Sequence, residues 1–133
     1  MKQTITPPEL VTPRGFNHGF LCSGGRTLFL AGQDASDGEG RIVCYGDIVG
    51  QYEQVLRNLQ AVVQAAGGVM ADIVKMNIYV ANRDDYVAHL KELGQVHHRY
   101  FGRHYPATAL FEVNRFYQDG NLVEIEGIAY LDD

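Results

Sequence analysis

The chain has 133 residues, of which 46% are hydrophobic and 20% are charged, and its formal net charge is −5. A chain of this length can bury one compact core, so we expect a single domain over residues 1–133. Its Lys and Arg residues, 11 in total, form no run that could neutralise a series of phosphates, which argues against nucleic acid as a partner.

Cys22 and Cys44 are the two cysteines of the chain, which are too few for a disulfide framework. We expect both to be small buried apolar residues. Residues 1–8 lack the apolar core of a secretory signal, and no segment approaches the length of a membrane span. The sequence therefore predicts a cytoplasmic protein without a membrane partner.

The first half of the chain predicts two strands and one helix. Residues 18–33 contain two strands around a Gly-rich turn, and residues 34–41, rich in Gly, Asp and Ser, form a loop. Asp47 is a suitable N-cap for an amphipathic helix whose apolar residues recur at helical spacing until Gly67 and Gly68 end it.

The second half predicts a strand, a helix and two further strands. Residues 72–81 alternate, with one apolar face formed by Val74, Met76, Ile78 and Val80. A second helix follows Asn82 and ends near Gly102, because Pro106 excludes a helix beyond it. The element order predicts an α+β sandwich, in which a mixed sheet carries two helices packed on one face.

Alternation also assigns the faces of the two closing strands. In the first, an apolar face of Ala107, Ala109, Phe111 and Val113 lies opposite Thr108, Leu110 and Glu112. In the last, Glu124 and Glu126 share a face with Leu122, Ile128 and Tyr130. We expect Leu110, Leu122, Ile128 and Tyr130 to lie on the helix-free face of the sheet. That face is too apolar to remain in water, so it should pack on other subunits.

Five segments carry motifs that resemble a known family. Residues 28–33, Leu-Phe-Leu-Ala-Gly-Gln, resemble its V-F-x-S-G-Q strand, residues 105–113 its P-A-R-S-x-V-E-V strand, and residues 123–129 its V-E-I-E-A-I-A strand. Residues 50–68 are similar to its first helix, and residues 72–75 to its D-V-V-K segment. By these matches the chain resembles the RidA/YjgF family of endoribonuclease L-PSP-like proteins along essentially its whole length.

The resemblance implies a chorismate-mutase-like α+β fold and a homotrimer with three ligand clefts at subunit boundaries. It implies a small-molecule ligand and no cofactor. In members that hydrolyse enamines and imines, an arginine after Pro-Ala grips the substrate carboxylate, and here that position is Thr108. A cleft tyrosine of the G-P-Y-S-Q motif is also replaced, because residues 15–19 read Gly-Phe-Asn-His-Gly. Glu124 matches the glutamate that holds the attacking water, and Gly32 is retained.

Each candidate site residue has a structural interpretation beside the functional one. Glu124 is either the catalytic group or a sheet-face carboxylate paired with Lys75 or Arg115, and one of Glu124 and Glu126 should be structural. The remaining candidate ligand-binding residues are polar or glycine residues that strands and turns also favour: Thr108, Asn17, His18, Gly32 and Arg115. Arg14 and Arg115 are the cations that could replace the missing anchor.

A metal site is not predicted, because His97 and His98 point about 100 degrees apart on a helix and form no i, i+4 pair. Three functions remain open. The first is a deaminase or hydrolase that acts on a C–N bond of a small enamine, imine or related metabolite, other than the standard 2-imino acids. The second is a non-catalytic, metabolite-binding trimer, and the third, ribonuclease activity, is disfavoured by the acidic charge balance.

Overall fold

The computed structural model describes residues 1–133. It contains six strands and three helices, with a short 3₁₀ turn at Met70–Asp72 before the fourth strand. In chain order these elements are β1 (Lys2–Ile5), β2 (Gly19–Cys22), β3 (Arg26–Gln33), α1 (Ile48–Ala65), β4 (Ile73–Val80), α2 (Arg83–Ala88), α3 (Leu90–Phe101), β5 (Ala107–Glu112) and β6 (Val123–Leu131).

The helix α1 begins and ends where the sequence predicts. The side chain of Asp47 accepts a hydrogen bond from the Gly50 amide at 3.0 Å, and Gly67 adopts a φ of 86° just beyond the last turn. One side of the helix is buried, including Tyr52, Val55, Leu56, Leu59 and Val63. None of the three helices has the length and apolar character needed to cross a membrane.

The main sheet has the strand order β3-β6-β4-β5. The strands β4 and β5 run parallel, whereas β6 is antiparallel to both β3 and β4. A core of 19 buried residues lies between this sheet and the helices. The four residues of the predicted apolar face of β4 are buried, and so is Ile73 at the start of the strand. The expected α+β class, with a mixed sheet and its helices on one face, is confirmed.

The N-terminal strand β1 is not predicted by the sequence, since Lys-Gln-Thr-Ile carries little apolar alternation. It pairs with β2 in a separate two-stranded sheet, so the predicted strands of residues 18–33 do not pair with each other. Lys2 anchors β1 to the body, because its Nζ lies 2.9 Å from Asp72 Oδ1 and 3.0 Å from Asp132 Oδ2.

The second predicted helix is divided into α2 and α3 at His89, whose φ of −115° and ψ of 20° depart from helical values. Asn82 caps α2 as expected, since its side chain accepts a hydrogen bond from the Asp85 amide at 3.0 Å. The apolar residues Tyr86, Leu90 and Leu93 still line one pocket across the break. This continuity explains why the spacing predicts one helix.

The faces of β5 are the reverse of those expected. In the parallel register, Thr108 lies beside Met76 and Leu110 beside Ile78, and both β4 residues are buried under the helices. Phe111 instead stacks on Tyr79 at a ring distance of 5.8 Å on the helix-free face. Apolar residues occur on both faces of this edge strand, so alternation alone could not orient it.

The cysteines also differ from expectation. Both are free thiols, but Cys44 is exposed and Cys22 is only half-buried. Cys44 has a φ of 53° at the turn before α1, so it serves a loop and not the core. The expectation that both cysteines are buried is therefore wrong.

Candidate functional site

Glu124 lies near the start of β6, on the helix-free face and beside Tyr79 in the strand register. The residue is half-buried. Burial raises the pKa of its carboxyl group, and repulsion from the charges of Asp34 and Glu126 raises it further. No hydrogen-bond donor or cation offsets these effects, so neither Lys75 nor Arg115 pairs with this carboxylate. Glu124 is a carboxyl group that can exchange a proton or accept a hydrogen bond from a ligand.

Gly32 packs against the Glu124 carboxylate. A Cβ at position 32 would lie 2.8 Å from Glu124 Oε2 and 3.2 Å from its carboxyl carbon. The register of β3 against β6 shifts between Leu30 and Gln33, so Gly32 lies in a bulge that turns its backbone toward this carboxylate. The resemblance implied that Gly32 and Glu124 belong to one site, and the structure brings them together.

Glu126 has a different environment on the same face. Its Oε1 accepts hydrogen bonds from the Tyr79 hydroxyl at 2.5 Å and from Asn77 Nδ2 at 3.3 Å. These bonds lower the pKa of Glu126, with the Tyr79 bond contributing most. The Glu126 carboxylate is thus hydrogen-bonded within its own chain, whereas the Glu124 carboxylate is not.

Asp34, which the sequence did not single out, is held near Glu124 by two asparagines. Asn58 Nδ2 donates to the Asp34 carbonyl at 3.1 Å, and Asn121 Nδ2 donates to Asp34 Oδ2 at 3.1 Å. Asn121 is buried, and its Oδ1 accepts a hydrogen bond from the Ala35 amide at 3.2 Å. The sequence signal that could have indicated this role of Asp34 was the presence of Asn58 and Asn121 next to predicted apolar segments.

Gln51 fixes the start of β6 and therefore the position of Glu124. This glutamine is fully buried on α1. Its Oε1 accepts a hydrogen bond from the Leu122 amide at 2.7 Å, and its Nε2 donates to the Gly120 carbonyl at 2.9 Å. A buried side chain that satisfies two backbone groups holds the loop before Glu124 in one conformation.

A pocket of about 360 Å³ opens on the other side of the sheet, between β5 and the three helices. We call it the tyrosine pocket. Its lining consists of Arg14, Gly15, Phe16, Tyr52, Met76, Ile78, Tyr86, Leu90, Leu93, Gly94, His97, Tyr105, Thr108 and Leu110. The hydroxyl of Thr108 donates to the Pro106 carbonyl at 2.9 Å, so its oxygen remains able to accept a hydrogen bond.

Three side chains give the tyrosine pocket its polar character. Burial raises the pKa of Tyr52 well above its ordinary value and that of Tyr86 to about 12, so both hydroxyls stay protonated. His97 is stacked between Phe101 and Tyr105, and burial lowers its pKa. Its Nε2 lies 2.9 Å from the His104 carbonyl, which can only accept, so Nε2 carries the proton and Nδ1 is an acceptor.

The other predicted ligand-binding residues have partners within the chain. Asn17 ties the N-terminal segment to the start of β5, since its Nδ2 donates to the Tyr105 carbonyl at 2.6 Å. His18 Nε2 lies 2.7 Å from the Val11 carbonyl. Arg115 is largely exposed and pairs with Asp119. Of the two cations considered as anchors, Arg14 is the one that lines the same pocket as Thr108.

The sheet separates Thr108 from Glu124 within one chain. Thr108 opens into the tyrosine pocket on the helix side, whereas Glu124 lies on the helix-free face with β4 between them. The expected face assignment, which put Thr108 with Leu110 on the same helix-free face as Glu124, is therefore wrong for Thr108. Only the juxtaposition of two chains could bring these groups together.

The comparisons with known proteins cover nearly the whole chain. Residues 9–131 match the model of the endoribonuclease L-PSP family. A structure of YyfB, a conserved Rid-family protein from Yersinia pestis, superposes with a TM-score of 0.87 at 34% identity, covering 98% of each chain. The chain belongs to the RidA/YjgF family. The fold of this Rid-family chain is thus the one that its motifs implied.

Two further relatives place the chain within the Rid family. A RutC family protein of Pyrococcus horikoshii is 35% identical over 130 residues, which cover 98% of both proteins. A 2-iminobutanoate/2-iminopropanoate deaminase of Dermatophagoides farinae is 31% identical over 131 residues, with the same coverage. The Rid fold is therefore shared with a protein named as a deaminase.

Proposed function

We propose that this Rid-family chain hydrolyses a C–N bond of a small enamine or imine, in a cleft between the subunits of a cytoplasmic homotrimer. The observation that carries the proposal is the state of Glu124. It is a half-buried carboxylate with a raised pKa and no partner in its own chain, next to a glycine that leaves it room. A carboxyl group with a raised pKa is suited to proton transfer.

In the proposed reaction, Glu124 accepts a proton from a water molecule as the water oxygen bonds to the imine carbon. Glu124 returns this proton to the nitrogen, which gives a neutral carbinolamine. Glu124 then takes the proton of the carbinolamine hydroxyl group and delivers it to the nitrogen as the C–N bond breaks, so that a carbonyl group forms and ammonia leaves. An enamine enters the same route after it tautomerises to the imine. Water and the imine balance the carbonyl product and ammonia, so no cofactor is required.

A cleft shared by two subunits is supported by the exposed helix-free face. Phe29 is 76% exposed and Phe111 is 49% exposed on that face, an apolar surface that another subunit would cover. Contrary to the sequence-based expectation, Leu110 lies on the opposite face of the sheet, whereas Ile128 and Tyr130 lie on the helix-free face as expected. Because the sheet separates Thr108 from Glu124, we propose that the tyrosine pocket of one subunit meets the Glu124 face of its neighbour. The trimer should have three times the chain mass of 14.8 kDa in light scattering.

The substrate is proposed to differ from the short 2-imino acids. A charged, bidentate hydrogen bond contributes roughly 1.5–3 kcal/mol, and Thr108 cannot form one. The walls next to Thr108 are aromatic and apolar, which suits a larger substrate. The relative from Dermatophagoides farinae is named for two short imino acids, so this chain and that relative should differ in specificity.

Release of ammonia from imines tests the proposal. The imines are generated in situ from a panel of amino acids by an amino-acid oxidase, and a heat-inactivated sample is the control. We expect little acceleration with alanine-derived imine and clear acceleration with at least one imine that has a large side chain. Thr108→Arg should raise the activity toward the short imine. Absence of acceleration across the panel, combined with tight metabolite binding, would instead support the non-catalytic binding trimer.

A further inference from the structure

The loop between α3 and β5, residues 102–106, is held to α3 by one buried histidine. His97 is 7% exposed, and its ring is stacked between those of Phe101 and Tyr105 at centroid distances of 4.4 and 4.6 Å. Its Nε2 donates to the His104 carbonyl at 2.9 Å. One side chain of α3 therefore contacts two consecutive residues of the α3–β5 loop, by a hydrogen bond and by a stack.

Two further hydrogen bonds attach this loop to other parts of the chain. His104 Nε2 lies 2.6 Å from the Ile73 carbonyl, and Asn17 Nδ2 donates to the Tyr105 carbonyl at 2.6 Å. Thr108 follows as the second residue of β5 and lines the tyrosine pocket together with Tyr105. The position of the α3–β5 loop therefore decides where this wall of the pocket lies.

The surroundings of the His97 ring do not suit a positive charge. The charged or titratable groups that share its pocket or loop, or flank it on α3, are Arg14, Tyr52, Tyr86, His98, Arg99, Arg103, His104 and Tyr105. None of them is a carboxylate, and Glu53 of the packed helix α1 is bound to Arg99 at 3.0 Å. Protonation would place a charge and a second N–H donor in a pocket where nine of the 14 lining residues are hydrophobic.

We infer that neutral His97 is a positioning residue, which holds the α3–β5 loop and the pocket wall beyond it, and that protonation of its ring releases the loop. Three contacts of the loop remain within hydrogen-bond or stacking distance only while the loop stays against α3: those of His97 with His104, Tyr105 and Phe101. This acid-sensitive latch goes beyond the proposed function, because it concerns the conformation of the pocket and can be measured without turnover.

The direction of the pH effect follows from the burial of the ring. Burial lowers the pKa of His97; the hydrogen bond to the His104 carbonyl opposes this effect in part, and the charges of His104 and His98 add to it. The released loop exposes the ring and therefore binds the proton more tightly than the latched loop does. The latch is complete above the ordinary pKa of histidine, about 6.5, and weakens as the pH falls below it.

Hydrogen–deuterium exchange of the backbone amides of residues 102–110 tests the release in the full-length protein. Rates are measured at pH 7.5 and at pH 5.0, at equal protein concentration, and each is divided by the rate of an unprotected chain at the same pH. We expect protection of these amides to fall about tenfold at pH 5.0, a size typical of one buried donor left without a partner. The amides of α1 should keep their protection, so an equal loss in both segments would contradict a local release.

Three variants identify the titrating group. His97→Gln retains an amide N–H donor near the His104 carbonyl and does not titrate, so the loop should stay protected at both pH values. His97→Phe retains the stack without the donor, and protection should be about tenfold lower at both pH values. His98→Gln is the matched control, because His98 is the exposed neighbour on the same helix, and it should respond to acid as the wild type does.

Nitrogen chemical shifts of the His97 ring in the wild-type protein provide a second measurement, which needs no variant to fold. The ring should change from the Nε2-protonated neutral form to the charged form with the same midpoint as the loss of loop protection. The inference is overturned if the ring stays neutral at pH 5.0 while the loop opens, or if His97→Gln still loses protection in acid. It is equally overturned if His98→Gln or His104→Gln abolishes the acid response.

Discussion

Gly32 and Glu124 are in direct contact across the bulge between β3 and β6, where a Cβ on Gly32 would lie 2.8 Å from Glu124 Oε2. This contact keeps the carboxylate against the backbone of β3 on one side. Burial raises its pKa most, and the negative charges of Asp34 and Glu126 raise it further. The geometry and the titration of Glu124 are therefore set by different neighbours, and each can be altered separately.

The contact can be tested by substitution of the glycine. Gly32→Ala should displace the Glu124 carboxylate and lower kcat roughly ten- to hundredfold, as expected for a misplaced catalytic group. Gly38→Ala is the control, because a Cβ there meets no atom within 4 Å. Comparable activity for the two variants in the ammonia assay would mean that this contact does not position Glu124.

The charge of Asp34 should control the pH dependence. If Glu124 acts as a base, activity rises with pH as its carboxyl group loses its proton. Asp34→Asn removes a charge that raises the pKa of Glu124, so the acidic limb of the pH–rate profile should move to lower pH. If the acidic limb of the Asp34→Asn profile coincides with that of the wild type, the limb reports the titration of a group other than Glu124.

Glu124 should also reduce stability at neutral pH. Its pKa is higher in the folded than in the unfolded chain, so the folded state binds more protons and stability falls as pH rises between these two pKa values. Glu124→Gln should therefore raise the unfolding temperature at pH 8 and leave it nearly unchanged at pH 4. Both proteins must be compared at equal concentration, because association also contributes to stability. A gain at pH 4 as large as that at pH 8 would contradict this explanation.

Gln51 provides a prediction about the scaffold. Gln51→Leu leaves the Leu122 amide and the Gly120 carbonyl without their side-chain partner, which should lower the free energy of unfolding by about 1–3 kcal/mol. Gln64→Leu, at an exposed position of the same helix, should change it by less than about 0.5 kcal/mol. Denaturant unfolding compares them, and equal effects would show that the buried hydrogen bonds contribute little.

The elements with strong local signals could be predicted from the sequence. Asp47 and Gly67 mark the ends of α1, and regular alternation identifies the buried face of β4. The strand β5 gave no such signal, because Thr108 and Leu110 on one face oppose Phe111 on the other. Its orientation depends on a parallel register with β4, which is a long-range property.

The site was predictable only in part for a related reason. The family motifs indicated Gly32 and Glu124, and their contact is found in the structure. Strand alternation alone could not separate Glu124 from Glu126, since that distinction depends on Tyr79 and Asn77 from another strand. Asp34 follows β3 in a loop, and its influence on Glu124 depends on hydrogen bonds from distant residues.

The two glutamates of β6 offer the most direct test of the central claim, which is that Glu124 holds the water that attacks the imine carbon. Ammonia release is measured for the wild type, Glu124→Gln and Glu126→Gln, with phenylalanine-derived imine as the substrate. We expect Glu124→Gln to lose at least about a hundredfold in kcat, as typical for a general base. Glu126→Gln, whose carboxylate is bound by Tyr79, should retain most of the activity. Full activity in Glu124→Gln, or an equal loss in both variants, would contradict the assignment.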